Sequence, residues 1–174
     1  MNKRILVLCS VLFLMCGCTT LSNTEQSIIG EWESTDEWTG ATIISTYYED
    51  GSFTLEYLED DNVFSHMEAK YQVYFGSDAY DKLTEENNSL RWQETLVDTL
   101  IDAKEDFTID NLVAIELSNI EVYYDGELDD NENDNTESLN LSFMMNDGNE
   151  LYASNTGGST TIYDDDFFRI FVRK

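Results

Sequence analysis

The run FSHMEAKYQVYF, residues 64–75, constrains the fold of this chain more than any other stretch. Met67, Ala69, Tyr71, Val73 and Phe75 alternate there with His66, Glu68, Lys70 and Gln72. Successive side chains of a β-strand point to opposite faces, so an apolar and a polar set in strict alternation describe a strand with one buried face. The chain's only histidine belongs to the polar set, which predicts a solvated side chain there and not a catalytic or metal-bound one. Just upstream, TIISTYYEDGSFTLEYLE holds two β-rich runs around Asp50-Gly51, a pair that tolerates the positive φ of a two-residue type I′ turn. Such a turn pairs Tyr48 with Phe53, Thr46 with Leu55 and Ile44 with Tyr57, and all six share the core face. Ser45, Tyr47, Thr54 and Glu56 then face out.

From Ser77 to Asp106 the apolar spacing lengthens to a helical one, through Tyr80, Leu83, Leu90, Leu96, Val97, Leu100 and Ile101. Asn87-Asn88-Ser89 divides it into two helices, the second starting at Ser89. Strands resume with NLVAIEL and IEVYYDG, where the apolar phase slips by one at Ser118-Asn119; a bulge and a tight two-residue turn both fit. Further strands follow in SLNLSFMM, in NELYAS beyond an Asp147-Gly148 turn, and in FFRIFVRK. The chain is therefore expected to be mainly β, an antiparallel up-and-down barrel of about eight strands with a helical insertion, because closure removes the exposed edges of long aromatic strands. A two-sheet sandwich is the alternative. With 41% hydrophobic and 13% aromatic residues the chain can fill a core despite its charge, and residues 28–174 are read as one domain.

The domain opens on IIGEW, in which Gly30-Glu31-Trp32 forms a G-x-W at the start of the first strand. This resembles the lipocalins and their calycin relatives, and the EDGSF hairpin is similar to that of lipocalin-like domains in small bacterial lipoproteins. The resemblance implies a lipocalin-like barrel closed at one end by Gly30 and Trp32, with the indole beneath a basic residue of the last strand, Arg169 or Arg173. A barrel of eight strands can hold a small apolar or amphipathic ligand. The side chains expected inside, and so the candidate ligand-binding set, are Tyr48, Phe53, Leu55, Tyr57, Met67 and Tyr71. The alternative is a barrel filled by its own side chains, serving as a ligand-free surface interaction or structural protein.

The first residues carry a different message. Lys3 and Arg4 precede an apolar run from Ile5 to Met15, too short for the roughly 20 residues of a membrane-spanning helix but in proportion for an export signal. MCGC, residues 15–18, resembles the lipobox of bacterial lipoproteins, with Gly17 supplying the small residue before Cys18. The expectation is a lipoprotein signal peptide over 1–17, acylation at Cys18 and a polar tether to residue 27; an ordinary secretory signal is the alternative. Cys9, Cys16 and Cys18 are the only cysteines, so a chain beginning at a lipidated Cys18 has no free thiol for a disulfide, a zinc site or a nucleophile. The expected partner is the lipid bilayer, reached through the acyl chains of Cys18, at about 0.8 kcal/mol per buried methylene. Thr19, where Asp would retain the protein at the inner membrane, predicts the outer membrane in a two-membrane cell.

Loss of residues 1–17 removes Lys3 and Arg4 and no acid, so the formal charge moves from −27 to −29. A surface so acidic repels phosphate backbones, and no nucleic-acid partner is expected. Neither a nucleophile elbow, a phosphate-binding loop, a zinc-protease helix nor a dinucleotide fingerprint is present, so no enzymatic activity and no cofactor are expected. Residues 125–137 hold seven acids and no base. Asp129, Asn131 and Asn133 match the opening of a calcium loop, but Asp134 replaces its turn glycine and Asn140 its bidentate glutamate, so no metal site is expected.

Overall fold

The computed structural model describes residues 28–37, 39–86, 89–129, 137–154 and 168–174. Its strands are β1 (Gly30–Thr35), β2 (Thr42–Tyr47), β3 (Ser52–Glu59), β4 (Asn62–Phe75), β5 (Leu112–Tyr124), the two-residue β6 (Glu127–Leu128), β7 (Glu137–Met145), β8 (Glu150–Ser154) and β9 (Phe168–Arg173). Two helices, α1 (Gly76–Thr84) and α2 (Glu94–Ile101), lie between β4 and β5. Each long strand pairs antiparallel with its neighbour, β4 pairs with β5, and β1 returns to β9, so eight staves close into a barrel. The seams differ: β4 and β5 share ten paired positions, β1 and β9 only two. β6 pairs with Tyr123 and Tyr124 at the far end of β5, on the edge whose earlier part, Leu112–Ser118, holds β7.

The alternation of β4 holds: Met67, Ala69, Tyr71, Val73 and Phe75 all face the inner cluster. His66 lies on the outer face with Nε2 3.0 Å from a Glu68 oxygen, on the strand beside Tyr123. The β2–β3 register corrects the sequence expectation by one residue. Tyr47 pairs with Phe53, Ser45 with Leu55 and Ile43 with Tyr57, so Tyr47 turns inward while Tyr48 is 44% exposed. The cause is the turn. Asp50 has no positive φ; only Gly51 does, at 78°. The Gly51 amide donates to the Tyr48 carbonyl (3.1 Å) and the Tyr48 amide to that of Ser52 (2.9 Å), closing a three-residue loop that ends in a left-handed glycine. A change of one in loop length flips every side chain of the preceding strand.

At Ser118-Asn119 the strand runs on through a bulge. Lys70 pairs with Ser118 and Glu68 with Glu121, leaving Asn119 and Ile120 opposite Ala69, with Asn119 in the left-handed region (φ 53°). The bulge restores the inward phase, so that Leu117 and Ile120 both reach the inner cluster.

A second apolar cluster lies outside the barrel wall. Ala79 and Leu83 of α1 and Val97 and Leu100 of α2 pack with Leu112, Ala114, Leu139, Leu141 and Phe143 on the outer face of β5 and β7. Phe107 stacks on Phe143 at 3.9 Å. β5 is thus covered on both faces, which is why Leu112–Ile115 is a continuous apolar run instead of an alternating one. The second helix starts at Glu94, five residues after its expected start at Ser89. Before it, the Trp92 amide donates to the Leu83 carbonyl (2.7 Å) and its indole to that of Leu139 (3.0 Å), strapping the segment against β7 in extended form. The Tyr80 hydroxyl donates to Asp98 at 2.9 Å and ties the helices together.

Candidate functional site

Alternation assigns the barrel interior one residue in two from each stave. At the closed end Trp32 is fully buried and its Nε1 donates to the Ile28 carbonyl at 2.8 Å. The Arg173 guanidinium lies over the indole, 4.4 Å from the ring centroid. Its Nε donates to the Gly148 carbonyl (3.1 Å) and its Nη1 to that of Ile29 (2.9 Å), so one cation bridges the residue before the first strand and the β7–β8 turn. Burial holds the Arg173 pKa below its ordinary value. Gly30 has a φ of +129°, a conformation that side chains rarely adopt, and this explains the glycine; a Cβ there would meet Arg173 Nη1 only at an ordinary contact of 3.6 Å. Of the two candidate arginines, Arg169 lies at the other end of β9, where its Nη2 is 2.6 Å from an Asp36 oxygen.

The inner wall from β2 to β4 is apolar and aromatic: Ile43, Tyr47, Phe53, Leu55, Tyr57, Met67, Ala69 and Tyr71. Five of the six expected interior residues, Phe53, Leu55, Tyr57, Met67 and Tyr71, are on it; Tyr48 is not, for the reason of register given above, and Tyr47 takes its place. Burial pushes the Tyr47 hydroxyl's pKa well above its ordinary value, with the nearby Tyr71 hydroxyl adding to the effect. Tyr47 packs on Phe53 at 4.8 Å and edge-on to Tyr71 at 5.2 Å, which fills the part of the interior nearest Trp32. Toward the opposite end Leu55, Tyr57, Met67 and Ala153 are inward-facing yet only half-buried.

Across from that wall, β7 turns Ser138, Asn140 and Ser142 inward, paired with Leu117, Ile115 and Val113 of β5. Asn140 Nδ2 donates to Ser138 Oγ at 3.1 Å. The interior therefore has an apolar side and a polar strip, and the Asp36–Arg169 pair adds to the latter toward the end away from Trp32. Sequence reasoning missed this strip because SLNLSF alternates toward the helices: its leucines face the outer cluster and its polar residues the lumen. Toward the end of the barrel away from Trp32, Glu37, Glu59, Asp60, Asp61, Asp125 and Glu127 are all exposed. No group of three or more His, Cys, Asp or Glu placed to hold a metal ion occurs among the described residues. Cys18 and most of the calcium-like pattern, Asn131 to Asp134, lie outside the described residues.

These features define a closed eight-stranded antiparallel barrel, plugged at one end by an arginine-capped tryptophan and lined inside by an apolar wall and a polar strip. In comparisons with protein-family models, with curated proteins and with solved structures, nothing matches this chain.

Proposed function

We propose that this is a lipocalin-like protein of the cell envelope, anchored in a bilayer by acylated Cys18, whose barrel takes up a small amphipathic ligand in the half away from Trp32. One observation carries the ligand reading: Leu55, Tyr57 and Met67 of β3 and β4 face inward but are only half-buried, across the barrel from the polar pair Ser138 and Asn140 of β7. An apolar wall with a few polar groups is what a small-molecule site needs. The acidic loops around the mouth repel anions, so the favoured ligand has a neutral or cationic head on an apolar body. The arginine-capped Trp32 supports the lipocalin likeness. No catalytic step belongs to this reading.

Native mass spectrometry of the purified chain, followed by titration with the uncharged fluorophore N-phenyl-1-naphthylamine, tests it. One bound molecule per barrel, weakened by Leu55→Trp, is the expected result; no bound species and no fluorescence change would remove the ligand. The second reading, a filled and ligand-free barrel, is favoured by the packing of Tyr47, Phe53 and Tyr71 near Trp32, and it predicts that null titration. The anchor is tested separately: Cys18→Ser should abolish acylation and globomycin-sensitive processing, whereas Cys16→Ser should leave both. Equal acylation of the Cys18→Ser chain would sink the anchor. From Thr19, a two-membrane cell should carry the protein in its outer membrane.

A further inference from the structure

The barrel's closing seam is built unlike the others. β1 and β9 are paired only at Trp32 with Arg173 and Glu33 with Val172, whereas β1 and β2 pair along all six residues of β1 and β8 and β9 along all five of β8. Continuing the β1–β9 register places Ser34 opposite Phe171, Thr35 opposite Ile170 and Asp36 opposite Arg169. The first two positions have no ladder pairing, and the third is joined through side chains, Arg169 Nη2 to Asp36 Oδ2 at 2.6 Å. Both of those side chains are largely buried, at 22% and 17% exposed. A cleft of about 340 Å³ runs along the seam, lined by Ser34, Thr35, Ile170 and Val172 among others. Ile170 and Val172 leave 43% and 50% of their surface exposed beside it, and Phe171 lies beneath it in the inner cluster.

We propose that this seam is a lateral portal through which the amphipathic ligand enters the barrel, with Asp36–Arg169 as its latch; this rests on the ligand-binding reading above. Backbone pairs broken in a ladder leave amides and carbonyls that must find new partners, so a fully paired seam is costly to part. Among the described residues the wall between Glu33 and Asp36 has no such ladder pairs to break, and the Asp36–Arg169 ion pair joins the two strands beyond it. Parting β1 from β9 there exposes Phe171 and the lumen behind it, while the Arg173 bonds to Ile29 and Gly148 keep the closed end shut. The apolar side chains flanking the cleft suit the body of an amphiphile on its way in.

The test staples the seam. In the full chain with Cys9, Cys16 and Cys18 changed to Ser, Thr35→Cys and Ile170→Cys place one thiol on each side of the cleft, to be joined by a short reducible bis-thiosulfonate cross-linker that spans it. Uptake of N-phenyl-1-naphthylamine is followed by stopped-flow fluorescence. The stapled form should take up the probe at least about tenfold more slowly than the same sample after reduction, since association slows when the required opening is blocked. The reduced form should match the unstapled parent, which also shows that the variant is folded. Asp36→Asn with Arg169→Gln should accelerate uptake. Equal rates for stapled and reduced protein would overturn the portal and leave ligand binding intact, making the barrel mouth the route. No uptake by any form would overturn both.

Discussion

Replacing Trp32 with Ala probes the closure of the barrel directly. The indole is fully buried, and an aromatic side chain of its size removes about 200 Å² from water, which at about 25 cal/mol per Å² amounts to roughly 5 kcal/mol. The alanine keeps a small part of that, and the lost Nε1 bond to Ile28 adds about 1 kcal/mol. The expected cost is therefore about 3–5 kcal/mol, within the range for buried aromatic truncations. It is a large share of the roughly 5–15 kcal/mol that holds a domain folded, and should lower Tm by about 10–15 °C. Urea unfolding followed by far-UV circular dichroism is the suitable assay, because the substitution itself alters indole fluorescence. Trp32→Phe, which keeps most of the apolar contact, should cost about 1–2 kcal/mol. A double-mutant cycle with Arg173→Met should return a coupling of about 1 kcal/mol from the stacked pair. An alanine variant within about 1 kcal/mol of the parent, at an unchanged m value, would refute the reasoning that this residue closes the barrel.

Three further predictions concern register, backbone and pH. Tyr47→Ser should destabilise the chain by about 3 kcal/mol and Tyr48→Ser by less than about 0.5 kcal/mol in the same urea assay; the reverse order would restore the two-residue turn. Asn119→Gly should leave stability at or above that of the parent, while Asn119→Val should cost about 1–2 kcal/mol, as a β-branched residue in the left-handed region does; equal thermal melts of the two variants would contradict the bulge geometry. The Tyr80 hydroxyl, held protonated by its bond to Asp98 and then by burial, is pushed up to about 12 from its ordinary value near 10. Because the folded pKa is the higher one, the stability it contributes is complete below about pH 10 and is lost as pH rises toward 12. Tyr80→Phe should remove one late-ionising phenol from an absorbance titration at alkaline pH and flatten the loss of stability across that window.

The fold class was legible in the sequence because β4 alternates without a fault and because strands of that length and aromatic content cannot leave their edges open. G-x-W suggested the closed end through its resemblance to the lipocalin pattern, and the structure gives the physical reason: Gly30 adopts a φ of +129° and Trp32, two residues on, is buried. Which arginine answers the tryptophan was not local: Arg169 and Arg173 share a face of β9, and only the pairing of Trp32 with Arg173 decides between them. Turn length was equally beyond reach. Asp-Gly occurs at 50–51, 125–126 and 147–148, and it ends a three-residue loop, makes the whole of a two-residue turn (φ 50° and 81°), and lies within a four-residue loop, respectively. The dipeptide permits positive φ but does not count the residues around it, and in ISTYYEDG both phases offer a tyrosine, so pattern cannot choose between Tyr47 and Tyr48. Contact with β3 and β1 on either side chooses Tyr47. The polar strip of β7 was hidden for a related reason: alternation in one strand shows that two faces differ, not which of them faces the lumen. The helices of the insertion decide that, by covering Leu139, Leu141 and Phe143 from outside and leaving Ser138, Asn140 and Ser142 to line the barrel.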